Sequence, residues 1–144
     1  MGENEAVVVL DDETCWRLLA TQELGRIVTK TADVVDIFPV NFVVDEGSIL
    51  FRTAEGSKLF ALTVDDHVLF EADDHTDVEA WSVVVRGRAV RLDTAAQVER
   101  ADGLGLRPWI PTVKYDYVRI VPASMSGRTF RRAPEPDRYG VHQD

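Results

Sequence analysis

The stretch from residue 35 to residue 53 limits the choice of fold more than any other part of this chain. Residues 35–44 and 48–53 are rich in β-branched and aromatic side chains, the composition of strands. Between them lies Asp45-Glu46-Gly47, a tight turn, so the two segments are expected to pair as an antiparallel hairpin. In the first segment Phe38, Val40, Phe42 and Val44 alternate with Ile37, Pro39, Asn41 and Val43, which leaves both faces largely apolar. A strand of that kind belongs in a closed barrel or beneath an interface. Pro39 has no N–H to give a ladder, so it marks an edge, a bulge or a ligand at that point.

The same strand texture recurs at residues 26–30, 67–72, 80–92, 115–121 and 125–131. Gly87 in the middle of the long 80–92 run predicts a bulge or a barrel corner. Ser124, Ser126 and Gly127 read as the turn into the last strand. A first helix is expected over 11–22: Asp11 or Asp12 caps it, Cys15, Leu18 and Leu19 form its buried face, and Gly25 stops it. A second is expected over 94–103, with Thr94 as cap and Gly103 as stop, and a third begins near Ser57. With six or seven strands, three short helices and no βαβ alternation, the pattern indicates an antiparallel barrel of the mainly β (α+β) class.

The length of 144 residues suits one domain, expected over 1–132. The tail 133–144 is rich in Pro, Asp and Arg and is expected to fray. A formal charge of −9 opposes binding to nucleic acid or an anionic membrane surface, which require basic patches. Cys15 is the only cysteine, so no internal disulfide forms. The acidic start Met1-Gly2-Glu3-Asn4-Glu5 lacks the basic region of a signal peptide, and a cytoplasmic location is expected.

The segment carrying the most chemistry is Ile49-Leu50-Phe51-Arg52-Thr53-Ala54-Glu55-Gly56-Ser57-Lys58, a strand running into the first turn of a helix. Helix starts suit phosphate because their N–H groups are unpaired. Arg52 and Lys58 flank this one on an otherwise acidic chain, which points to an anion site. Other candidates are weaker. His75 lies in an acidic turn, Asp73-Asp74-His75-Thr76-Asp77, that matches no zinc or calcium loop. Cys15 sits beside Trp16 on a helix face, as a core residue does, and no base for a thiol nucleophile is evident. There is no Gly-x-Ser-x-Gly elbow. Trp81, Trp109 and Phe38 fit either a core or a flat wall against a planar ring.

Taken together, Phe38-Pro39-Val40-Asn41-Phe42-Val43-Val44, then Phe51-Arg52-Thr53-Ala54-Glu55-Gly56-Ser57-Lys58, then Trp81-Ser82-Val83-Val84-Val85-Arg86-Gly87-Arg88-Ala89 resemble three core motifs of the pyridoxamine 5′-phosphate oxidase-like FMN-binding split-barrel family. The resemblance spans residues 10–132 and includes Leu24-Gly25-Arg26-Ile27. It implies a six-stranded antiparallel split β-barrel with short flanking helices, a homodimer, and FMN in the groove between subunits. Carried over by position, Arg52 and Lys58 hold the flavin phosphate with Ser57 and Thr53 assisting. Phe38, Pro39, Val40 and Asn41 belong to the strand along the ring edge. Trp81 and Ser82 reach the ring from the partner subunit, and Trp109 closes the site more loosely. The activity implied is a flavin-dependent oxidoreductase that takes electrons from a nicotinamide donor and passes them to a small planar acceptor, with no side-chain acid or base. The tail lacks the Arg and His residues that hold substrate in vitamin B6 oxidases. A deazaflavin coenzyme, whose acidic tail would call on Arg26, Lys30 and Arg128, and a non-catalytic flavin-holding protein stay open as alternatives.

Overall fold

A computed structural model describes residues 6–54, 66–108 and 115–132. Its elements run in the order β1 Val7–Leu10, α1 Asp12–Leu19, β2 Leu24–Thr31, β3 Val34–Asp45, β4 Ser48–Ala54, β5 His67–His75, β6 Glu79–Arg91, α2 Ala95–Asp102 and β7 Tyr115–Arg131. The strands lie in the order β1-β7-β4-β3-β2-β5-β6, and β6 also pairs with β7. Six strands therefore close into a ring, and β1 is added outside it along the C-terminal end of β7. Every pairing is antiparallel.

The hairpin expected at residues 45–47 is present. Asp45 pairs with Ser48, and Glu46 (φ 49°) with Gly47 (φ 69°) makes a two-residue turn, the left-handed pair that matches strand twist. The barrel interior is filled by Ile27, Val40, Phe42, Ile49, Phe51, Phe70, Val83, Val85 and Ile120. Phe42 and Phe70 meet edge to face at 4.8 Å. Helix α1 begins at Asp11, whose side chain accepts from the Thr14 N–H. It closes one end of the barrel with Cys15 and Leu19, both fully buried. Cys15 is thus a core residue, and burial, reinforced by Asp12 and Asp11, pushes its thiol pKa up, away from nucleophilic use. Helix α2 starts with a Thr94–Gln97 capping box. With Leu50, Leu92 and Tyr117 its Ala101 forms a second, smaller core outside the barrel.

Four expectations need correction. Strand β1 was not foreseen: its Val7, Val8 and Val9 are exposed, and only pairing with β7 makes it a strand. The runs 115–121 and 125–131 are one strand of 17 residues, so Ser124, Ser126 and Gly127 lie inside a ladder instead of a turn. Pro122 is tolerated there because the register shifts at Arg86/Gly87, leaving Ala123 as an extra residue. Helix α1 ends at Leu19, and Gly25 is a β2 residue lying under the Phe70 ring. Residues 55–65 and 109–114, with the helix expected from Ser57, lie outside the described residues, as does the tail 133–144. Among the described residues, no helix is long and apolar enough to cross a membrane.

Candidate functional site

The barrel opens between β3 and β4. Their ladder has four rungs, from Phe42↔Phe51 to Asp45↔Ser48. Beyond Phe42 the strands part. Residues 34–41 of β3 pair with β2 alone, whereas Arg52, Thr53 and Ala54 continue with β7, opposite Tyr117, Asp116 and Tyr115. The β4 side of Val34–Val40 therefore has no strand partner among the described residues, and Pro39 lies within it. An unpaired edge offers backbone donors and acceptors to whatever fills the gap.

Arg52 stands where the two strands part. Its guanidinium lies over the Tyr115 ring, 3.9 Å from the centroid, and its Nε is buried with no hydrogen-bond partner. One rung along, Asp116 Oδ2 is likewise buried and unpartnered, while Oδ1 accepts from Arg91 Nε at 3.0 Å. Buried polar atoms are nearly always bonded. Among the described residues these are the two exceptions; they fall on adjacent rungs of one ladder and so on opposite faces of the sheet, and the one on the Arg52 face is a donor that the described residues do not satisfy. The floor beneath Arg52 is firm. Tyr117 and Tyr115 both donate to Asp102 Oδ1 of α2, at 2.7 and 3.2 Å, and their rings meet edge to face at 5.4 Å. Burial, followed by the Asp102 carboxylate, raises the Tyr117 pKa, so the phenol stays protonated as a donor.

The other residues singled out from the sequence divide between two faces. Phe38, Val40 and Trp81 pack against the main core, and Thr53 is buried and paired with Asp116. Trp81 is laddered on both sides, to Asp74 and Thr129, so of these four only Phe38 and Val40 lie on the open edge of β3. Pro39 is exposed, and Asn41 Nδ2 donates to the Glu23 carbonyl at 3.3 Å. Ser82 pairs with Asp73 and Arg128. Trp81 and Ser82 pair with Thr129 and Arg128 of β7, whereas Arg52 pairs with Tyr117, twelve and eleven residues away along the same strand. One chain does not bring them to Arg52. Ser57, Lys58 and Trp109 lie outside the described residues. The sequence reading missed Tyr115, Asp116, Arg91 and Asp102. The Tyr-x-Tyr spacing was its only signal, and it acquires meaning only once β7 lies beside β4.

Arg26, considered for an acidic coenzyme tail, is already engaged. Its Nη1 lies 2.7 Å from Glu71 Oε1 and 3.2 Å from Asp73 Oδ2. Burial, then the neighbouring Asp73, raises the Glu71 pKa from 4.5 to about 7, against the pull of Arg26. A carboxyl whose pKa is higher folded than unfolded binds its proton more tightly in the native state. Its contribution is therefore present below about pH 4.5 and is lost as pH rises through about 7. Glu71→Gln is expected to flatten the fall in Tm between pH 5 and 8, as read by scanning calorimetry across that range. An unchanged slope would assign the fall to other groups.

The architecture is that of a split barrel, an antiparallel ring parted along one strand edge with a cation at the mouth of the gap. Residues 11–129 match the family model described as Pyridoxamine 5′-phosphate oxidase, and the chain belongs to that family. An uncharacterized Mycobacterium tuberculosis protein is 50% identical over 91 residues, 63% of this chain and 83% of the other. A second from the same organism is 36% identical over 128 residues, covering 84% of each. Among solved structures, a Corynebacterium glutamicum protein described under the same oxidase name superposes with a TM-score of 0.81 at 44% identity, covering 91% of this chain and 98% of that one. The FAD binding protein of Mycobacterium smegmatis has a TM-score of 0.78 at 44% identity, covering 86% and 100%.

Proposed function

We propose that this protein is a flavin-dependent oxidoreductase that holds FMN in the gap between β3 and β4 and works as a homodimer. The observation carrying this reading is Arg52: a cation at the parting of the strands, stacked on Tyr115, with a buried N–H that lacks an acceptor. A phosphate monoester is the group such a site fits, because it brings negative charge and several acceptors together. Thr53, Ser57 and Lys58 would assist. The open backbone edge of Phe38–Val40 suits the polar rim of a planar ring. The flavin-binding name of a relative at 44% identity supports the cofactor class, and its FAD makes the dinucleotide the second reading. When bound, the flavin supplies the hydride chemistry. The chain's own part is to anchor the phosphate, line the ring edge and exclude water. A nicotinamide donor and a small planar acceptor complete the reaction.

The homodimer reading rests on surface that one chain leaves open. Val35 and Ile37 of β3 are 61% and 62% exposed. Beside them a hollow of about 480 Å³ is floored by Val28, Leu69 and Ala123 and edged by Lys30 and Arg86. A second copy would cover this face by a two-fold axis and bring its Trp81 and Ser82 toward the gap.

The test is flavin binding. Wild type should sediment as a dimer and take up one FMN per chain, bleached by a nicotinamide. Arg52→Ala should weaken FMN roughly ten- to a hundredfold while leaving riboflavin unchanged, since a charge-assisted hydrogen bond contributes about 1.5 to 3 kcal/mol. Bound flavin that no donor reduces would instead support a flavin-holding protein. Uptake of a deazaflavin alone would shift the cofactor, and protein that binds neither would sink the reading.

A further inference from the structure

We infer that Tyr115 is the positioning residue that aims Arg52, and so sets the protein's preference for a phosphorylated flavin over its dephosphorylated form. This inference rests on the phosphate reading of Arg52 proposed above. An arginine at a strand end is ordinarily free to sweep through many rotamers, and holding it in one costs side-chain entropy. Here the guanidinium carbon lies over the Tyr115 ring, 3.9 Å from its centroid. That contact attracts the cation and restricts it to one plane without using any of its N–H donors.

The ring is itself held on two sides. Its hydroxyl donates to Asp102 Oδ1 at 3.2 Å, and the same oxygen accepts from Tyr117 at 2.7 Å. The edge of one ring meets the face of the other at 85°. Tyr117 is buried in the small core with Leu50, Leu92 and Ala101. The chain of contacts therefore runs from α2 through Asp102 and the two tyrosines to Arg52, and it ends on a donor left without a protein acceptor. Tyr115 uses no N–H donor of Arg52, and the Nε–H stays without a protein acceptor. A carboxylate in its place would neutralise the cation and close the site.

The experiment is a titration of FMN and riboflavin, read by quenching of flavin fluorescence, against wild type, Tyr115→Leu, Tyr115→Phe and Arg52→Ala, and the double variant Tyr115→Leu/Arg52→Ala. Tyr115→Leu should weaken FMN about tenfold and leave riboflavin within about twofold. Tyr115→Phe, which keeps the ring, should bind FMN nearly as wild type does. On the Arg52→Ala background Tyr115→Leu should add nothing, because the cation it aims is gone. Equal weakening of both flavins, or a loss additive with Arg52→Ala, would overturn the inference and make Tyr115 a packing residue. Should Arg52→Ala alone leave the FMN preference intact, the phosphate reading fails in a comparison that involves no tyrosine variant.

Discussion

Gly87→Ala is expected to lower stability by at least about 3 kcal/mol and Tm by about 10 °C. A Cβ at this position would strike the Val121 carbonyl oxygen and sit 2.9 Å from its carbon and 3.1 Å from the Pro122 Cα. All three are backbone atoms, so no side chain can swing aside. The contact arises because the β6–β7 ladder slips here: Arg86 faces Ser124, but Gly87 faces Pro122. The extra residue turns the long β7 strand around the barrel, and the two backbones come within touching distance at the bend. Thermal unfolding of Gly87→Ala followed by circular dichroism checks this directly. A Tm within 2 °C of wild type would mean that the bend relaxes at little cost.

Asp45→Ala should cost about 3 kcal/mol. The carboxylate is 7% exposed and sits at the end of β3 between two cations. Arg100 of α2 reaches it with Nη1 at 2.7 Å and Nη2 at 3.1 Å, and Arg119 of β7 with Nη1 at 3.0 Å. Arg119 also donates to Ser48 Oγ at 2.6 Å. Removing the carboxylate leaves Arg119, only 22% exposed, without its counter-charge, and unfastens α2 from the hairpin. Arg100 is half exposed, which keeps the effect at the lower end for a buried pair. The pH dependence distinguishes this account from simple loss of packing. The Arg100 hydrogen bond, followed by Arg119, holds the Asp45 pKa below its ordinary 3.8. The stability it confers is therefore present above about pH 3.8 and is lost as pH falls through the lower native value. The Tm gap between wild type and Asp45→Ala should accordingly narrow in strong acid. A gap constant from pH 7 to pH 2 would contradict the ionic account.

Much of the fold was legible because its signals are local. Glu46-Gly47 makes a turn through its own backbone preferences, and Asp11 and Thr94 cap helices through N–H groups three residues away. Gly87 was readable as a bulge because a glycine inside an apolar strand has few other uses. What escaped were features that depend on a distant partner. Val7–Leu10 is short and exposed, and nothing within it distinguishes a strand from a loose end until β7 lies alongside. Pro122 lies between the two segments read as separate strands, and only the slipped register at Gly87 shows that the ladder runs on through it without needing its missing N–H. Gly25 looked like a helix stop, yet its role is to let the Phe70 ring lie against β2.

The candidate site divides in the same way. By itself the sequence determined that residues 52–58 bring two cations, a threonine and a serine to the end of a strand, and that Pro39 interrupts an apolar one. These are statements about residue types and short spacings, which the chain carries whatever its fold. Only the tertiary structure decided that β3 and β4 part at Phe42 and that Arg52 lies on Tyr115 with an unmet donor. It also decided that Asp102 fastens the tyrosines below. Those relations join residues far apart in the chain, and they follow from strand register. Register is set by how the buried side chains fill the barrel, and a shift of one residue would turn each of these side chains to the opposite face.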